Sequence, residues 1–325
     1  MLNRKTWTSS RLLTLGLAAY LLVGLSAVAP AKENGGAWLL EPVGARAIAI
    51  QAYTALADDV SSLSLNPAGI ASIKRTQVLL YTREGALDAR EHYLGVIGPV
   101  SKKGSIGLAW RSAGVGDSDD APFIQTDENG TDIGSLGYRA NAFEVGYGHQ
   151  INPNLRVGGM LGLAFDKWDG AFEGTPFEED QSASGFRGLS IGVTGVAADV
   201  VNYGVALRNL GGSLGADASI PVVFNAGVAI RFPQLNPMLL AVDLEKQYVD
   251  LGESATQIRL GAEYTLEPIA LRLGTSQSAD RSRWFAGFGV MLSALRVDYA
   301  FQFINRASRR LDDAPRHFVS LSYLY

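Results

Sequence analysis

The sequence predicts an all-β chain: a transmembrane antiparallel β-barrel of about 14 strands, preceded by an N-terminal segment that acts as a hatch or plug. Three observations predict it. The last eleven residues, Pro315 to Tyr325, set Val319, Leu321, Tyr323 and Tyr325 on one strand face and Ser320 and Ser322 on the other, and the chain stops on an aromatic. The same period-two pattern recurs back to about Ile73. The connections between these segments alternate between short and long.

The first residues read as a targeting segment. Arg4, Lys5 and Arg11 form a basic start, and Leu12 to Leu25 is an apolar run too short to span a membrane comfortably. Ala29 and Ala31 fit the small-residue positions of a cleavage site, so residues 1–31 are expected to be a signal peptide. Beyond it no apolar run approaches the ~20 residues of a spanning helix. The chain lacks cysteine, which rules out disulfides and thiolate metal sites. A net charge of −4 without a basic stripe argues against a nucleic-acid partner. No linker divides the remainder, so it reads as a hatch segment over 32–72 and one barrel domain over 73–325.

The strand pattern follows from strict alternation. Trp284, Ala286, Phe288, Val290 and Leu292 share a face, opposite Phe285, Gly287, Gly289 and Met291. Leu295, Val297, Tyr299, Phe301 and Phe303 alternate with Arg296, Asp298, Ala300 and Gln302. Ile258, Leu260, Ala262, Tyr264 and Leu266 alternate with Arg259, Gly261, Glu263 and Thr265. Aliphatic and aromatic residues suit lipid, and charged and small residues suit a crowded, partly hydrated lumen. Such segments start near Ile73, His92, Gly104, Ser135, Asn154, Gly185, Val201, Ile220, Pro237, Ser254, Ile269, Ser282, Ala294 and Pro315.

Short connections fall at Lys102-Lys103, Asn152 to Asn154, Pro233 to Pro237, Glu267-Pro268 and Ser293-Ala294; longer ones fall at Gly114 to Gly134, Asp169 to Ser184, Gly211 to Ser219 and Asn305 to Ala314. Short turns on one side and long loops on the other are the asymmetry of an outer-membrane barrel. The expectation is the outer membrane of a Gram-negative bacterium, in contact with its lipid, with both mature termini periplasmic. Two long loops are acidic, one with Asp117, Asp119, Asp120, Asp127, Glu128 and Asp132 and the other with Glu173, Glu178, Glu179 and Asp180; they read as solvated charge.

The residues before the first strand are the expected functional part. Gly44 to Tyr53 is alanine-rich and compatible with a short helix. Asn66-Pro67-Ala68-Gly69 follows. Pro67 fixes its own φ and holds Asn66 extended, an Asn side chain closes a turn, and Gly69 permits a sharp bend. Asp58 and Asp59 would need partners in a lumen, and the inward arginines Arg111, Arg208, Arg259, Arg272 and Arg296 are candidates. Asn66, Pro67, Ala68, Gly69, Asp58 and Asp59 are thus the candidate binding residues.

The run from Ala55 to Gly69, Ala-Leu-Ala-Asp-Asp-Val-Ser-Ser-Leu-Ser-Leu-Asn-Pro-Ala-Gly, resembles the hatch of FadL-type long-chain fatty-acid transporters. With Gly44-Ala45-Arg46-Ala47 before it, the stretch is also similar to PorV/PorQ-type outer-membrane proteins, though Ile50-Gln51 stands where that pattern often has Met-Gly. The terminal aromatic strand is similar to the C-terminal signal of bacterial outer-membrane barrels. These resemblances imply a fourteen-stranded barrel with a hatch, and passive transport of a hydrophobic small molecule that enters among the long loops and leaves through a gap in the wall. The PorV-type alternative is a scaffold that binds a secretion-system protein in type IX secretion. No cofactor or metal is implied. His92, His149 and His317 lie far apart, no metal pair or nucleophile elbow is present, and the chain reads as a non-enzyme.

Overall fold

In the computed structural model, period-two alternation becomes fourteen strands: β1 Gln77–Glu84, β2 Arg90–Pro99, β3 Gly104–Val115, β4 Asp132–Asn152, β5 Leu155–Gly170, β6 Gln181–Ala197, β7 Val201–Leu210, β8 Val222–Phe232, β9 Met238–Tyr248, β10 Ala255–Leu266, β11 Ile269–Ser278, β12 Arg281–Leu292, β13 Leu295–Gln302 and β14 Arg316–Leu324. The structure describes residues 33–85, 89–115, 123–126, 132–170, 181–216, 218–232, 238–249, 254–279, 281–303 and 316–325. Residues 1–31 lie outside them, as do Asp117, Asp119, Asp120, Asp127, Glu128, Glu173, Glu178, Glu179 and Asp180.

Each strand pairs antiparallel with its sequence neighbour. β14 pairs with β1 over His317↔Glu84 to Leu324↔Gln77, which closes the ring. Antiparallel closure satisfies every strand edge, the condition for β-structure to cross a bilayer. The outer face is apolar: Leu80, Leu108, Phe143, Leu163, Leu271 and Leu273 are all about half exposed to the surroundings of the barrel. Exposed Tyr147, Tyr203, Tyr264 and Tyr323 sit toward the short-turn end, and Tyr248, Trp284 and Phe303 toward the other. Two aromatic belts flanking an apolar band mark the two membrane interfaces. β4, β5 and β6 run to 21, 16 and 17 residues, well beyond the ~9–11 that cross the hydrocarbon.

The first strand begins at Gln77 rather than Ile73. Residues 67–72 form a 3-10 helix, and Ile73 is buried with its carbonyl accepting from Ser105 Oγ at 2.8 Å. Ahead of it the chain folds as a 3-10 turn Ala37–Leu39, helix α1 Ala45–Ile50 and helix α2 Ser62–Leu65. Almost every residue from Val43 to Ala71 is buried. This segment lies within the barrel, because it meets inward positions around the ring: Gly95 on β2, Gly107 on β3, Gly146 on β4, Gly158 on β5, Gly192 on β6, Gly204 on β7, Gly261 on β10 and Gly287 on β12.

Its start overturns one expectation. Glu33–Asn34 pairs in parallel with Ala218–Ser219, in the connection between β7 and β8 at the long-loop end, whereas Tyr325 bonds to Thr76 at the short-turn end. An even strand count places Gln77 and Tyr325 on one side; the residues before Gln77 traverse the lumen, so Glu33 and Tyr325 lie at opposite ends.

Candidate functional site

The N-terminal segment is held by different contacts on opposite walls. Toward β10–β14 it is held by charge. Ala45 N donates to Ser320 Oγ on β14 at 2.7 Å. At the second position of α1, Arg46 grips Glu263 of β10 with Nε and Nη2 at 2.9 and 3.0 Å, and gives Nη1 to Tyr53 Oη at 2.9 Å and to Asp58. Glu263 is shared with Arg272 of β11 at 2.7 Å, which also holds Asp298 of β13 at 2.8 Å. Arg296 bridges Asp298 at 2.8 Å and Asp59 at 3.0 Å. Arg46, Glu263, Arg272, Asp298, Arg296 and Asp59 therefore form a closed ring of alternating charge, shut by Arg46 to Asp59 at 3.6 Å, with Asp58 attached to Arg46. The more exposed Arg231 reaches Asp58 at 3.5 Å. Burying such groups is tolerable only because each carboxylate meets a guanidinium.

A second cluster lies above it. Glu245 of β9 accepts from Arg259 at 2.8 Å, Asn225 at 2.9 Å and Arg208 at 3.3 Å. Asp243 Oδ2 accepts the Tyr53 and Thr54 backbone N–H groups, both at 2.8 Å. Nearer the long-loop end, fully buried Arg111 pairs with Glu91, and Trp38 stacks on its guanidinium at 5.4 Å.

Toward β3–β6 the fit is close and mostly uncharged. Asn66 is fully buried. Its Nδ2 donates to the carbonyls of Thr54 at 2.9 Å and Val193 at 3.3 Å, and its Oδ1 accepts from Ala68 N at 3.2 Å, capping the 3-10 helix. Pro67 follows at the first helical position, where its missing N–H costs nothing. Wall glycines make this approach possible. A Cβ on Gly158 would stand 2.1 Å from Pro67 O, and one on Gly192 would stand 1.9 Å from Asn66 Oδ1. Gly69 is equally tight against Ala57 O. A register shift after Gly162 leaves Arg187 without a strand partner and turns it inward, where it pairs with Glu144 at 3.1 Å.

Several cavities border this arrangement. An upper one of about 190 Å³ is lined by Ile48 and Gln51 of the segment and by Arg259, Arg283, Phe285 and Gln302 of the wall. A lower one of about 220 Å³ is lined by Arg46 and Asp58, and by Glu263, Arg272, Arg296 and Leu324. A further one, about 680 Å³, is an apolar groove on the outer face over β2–β6, with Leu94, Leu108, Phe143, Val145, Leu161 and Leu163. The β3–β4 ladder beneath it runs unbroken from Gly104↔His149 to Val115↔Tyr138, while the β5–β6 register shifts beside Gly162, which lines the groove.

The six candidate residues thus separate. Asp58 and Asp59 join the charged ring, and Asp58 lines the lower cavity. Asn66, Pro67, Ala68 and Gly69 line none of these three cavities, and their contacts are to protein. Of the five inward arginines, Arg296 reaches Asp59, while Arg111, Arg208, Arg259 and Arg272 pair with wall carboxylates. Sequence reasoning missed Arg46, the residue that joins both aspartates to the wall. Its signal was available: a lone charge in the alanine-rich run Gly44 to Tyr53 must have a buried partner. It also missed Glu41. Burial would raise this carboxyl, but Arg283, with Arg83, Arg316 and Arg259, brings it down to about 2.

No family model and no curated protein matches the sequence. Solved structures do match in fold. The toluene transporter TbuX of Ralstonia pickettii superposes with a TM-score of 0.64 at 12% identity, covering 89% of this chain and all of that one. The Pseudomonas putida toluene transporter TodX gives 0.61 at 13% identity, covering 90% and 97%. A Pseudomonas aeruginosa FadL homologue gives 0.61 at 12%, covering 88% and 98%. Fourteen antiparallel strands in one closed ring, matched over nearly the whole of these proteins, give this chain the fold of the FadL-type outer-membrane barrels.

Proposed function

We propose that the protein is a passive outer-membrane channel for small hydrophobic molecules, and that the N-terminal segment is its hatch, with residues 1–31 a removable signal. One observation carries this reading. The upper cavity touches α1 through Ile48, and the lower cavity touches the same helix through Arg46. The upper reaches Gln302 and Arg281 at the long-loop end, and the lower reaches Gln77 and Leu324 at the short-turn end. Moving this six-residue helix would join them along the β10–β13 wall. Asp58, Asp59 and the Asn66–Gly69 turn serve as the latches of that hatch. Toluene transporters among the structural neighbours support the class of cargo; their names do not fix the molecule carried here.

A second reading, a scaffold for a secretion-system protein, has one observation in its favour. The upper and lower cavities are both edged by charged side chains, so among the described residues neither is a wide apolar duct. None of the structures named above is a secretion component. Uptake of labelled toluene and hexadecanoate into proteoliposomes distinguishes the two. The channel reading expects faster uptake of at least one than in protein-free vesicles. Background rates for both, with a protein co-purifying from native membranes, would favour the scaffold.

A further inference from the structure

We infer that the upper cavity is a binding site for a small carboxylate with an apolar body, of the size of benzoate or hexanoate. This rests on the channel reading and names the class of molecule its outer chamber takes. Three wall strands align one inward row: Arg259 on β10 stands opposite Ser276 on β11, which stands opposite Arg283 on β12. Neighbouring strands are ~4.8 Å apart, so the two arginines rise roughly 10 Å from each other and line one chamber.

Arg283 is nine-tenths buried, and its Nε has no hydrogen-bond partner; the Nε of Arg259 has none either. The carboxylate paired with Arg283 is Glu41 at 3.9 Å, beyond hydrogen-bonding range. Arg259 commits Nη2 to Glu245. A buried guanidinium with unmet donors is costly, and a carboxylate supplies two oxygens in the matching fork geometry. Arg259 and Arg283 both line the chamber, and Glu41 is its one lining carboxylate among the described residues.

The rest of the lining sets the body of the ligand. Ile48, Phe285 and Phe318 give an apolar floor. At about 190 Å³ the chamber is smaller than the ~300–1,000 Å³ of drug-sized sites, which admits one ring or a short chain and excludes a long acyl tail. A neutral hydrocarbon of the same size would fit but leave the arginine donors unmet.

The test is calorimetry on the intact detergent-solubilised barrel with benzoate and its neutral isostere benzamide, beside the toluene uptake assay. The inference expects benzoate to bind at least tenfold more tightly than benzamide, and expects Arg283→Gln to abolish that preference while the heat-modifiable barrel persists. Equal affinity for the two compounds in the wild type, or an unchanged preference in folded Arg283→Gln, would overturn it. Should that variant fail to fold, the wild-type comparison alone decides. Toluene uptake without benzoate binding would remove this site and leave the channel; benzoate binding without uptake of any compound would remove the channel and leave the site.

Discussion

The two walls that hold the N-terminal segment solve one problem by different means. Against β3–β6 the backbone of Asn66 to Ile70 presses on glycines, and the fit is too close for any side chain. Against β10–β14 the segment also meets glycines, with Ile50 O 2.1 Å from where a Cβ on Gly261 would stand, but this wall adds the ion pairs of Arg46, Glu263, Arg272, Asp298 and Arg296. At the β3–β6 wall Glu144 pairs with Arg187, and Ser64 of the segment donates to Glu144 at 2.7 Å. An ion-pair ring can exchange partners, and the upper and lower cavities both lie on its side. On the proposed channel reading, the segment is expected to pivot on the β3–β6 wall and open at the charged one.

The strongest way to break that asymmetry is Arg46→Ala. It leaves Glu263 with Arg272, Asp59 with Arg296 and Asp58 with the exposed Arg231, a loss below the ~3–5 kcal/mol of a buried charge left wholly unpaired. Limited proteolysis between Ala45 and Ser64 should rise sharply while the heat-modifiable barrel survives. Continued protection would show that the ring does not hold the segment. Gly192→Val attacks the other wall. The new Cβ would overlap Asn66 Oδ1, and overpacking of this kind costs about 1–3 kcal/mol. The expected result is a shift of the Asn66 turn with the charged side still latched, read as protease cutting near Pro67 but not near Arg46. Cutting at both sites together would mean that the walls are not independent.

Asn66→Ala is milder. It removes a cap and leaves Thr54 O without its donor, worth about 1–2 kcal/mol. Thermal release of the segment should move down by a few degrees with uptake kinetics changed modestly; an unchanged transition would reduce the motif to a passive turn. Acid should have the smallest effect, since Glu41 is partly exposed and its ion pairs are screened. Its carboxyl falls from an ordinary 4.5 to about 2, so the stabilisation is complete above pH 4.5 and fades as pH drops toward 2. The protection of residues 37–42 against amide exchange, taken relative to the intrinsic rate at each pH, should fall in that window and stay constant above it.

The barrel was legible because membrane strands write their environment into every second residue. Trp284 against Phe285 and Tyr299 against Asp298 read correctly without any knowledge of neighbours. The starts of β3, β7 and β11 at Gly104, Val201 and Ile269 were read to the residue, since turn residues precede them. The lumen was legible only in kind. Alternation shows that Arg259, Arg272 and Arg296 point inward, but which carboxylate each meets depends on strand stagger and on a segment with no period of its own. Asp59 and Arg296 are 237 positions apart and meet only after closure. The place of Glu33 was misjudged for the same reason: strand parity says nothing about residues that cross the lumen without joining the ring.

The most direct measurement uses the absence of cysteine from the chain. Ala45 and Ser320 touch through the Ala45 N–H and Ser320 Oγ at 2.7 Å, so cysteines at the two positions would tie α1 to β14. The account predicts that the pair oxidises in the folded barrel, that toluene uptake then falls to background, and that reduction restores it. Full cross-linking with undiminished uptake would contradict the claim that this segment gates passage through the barrel.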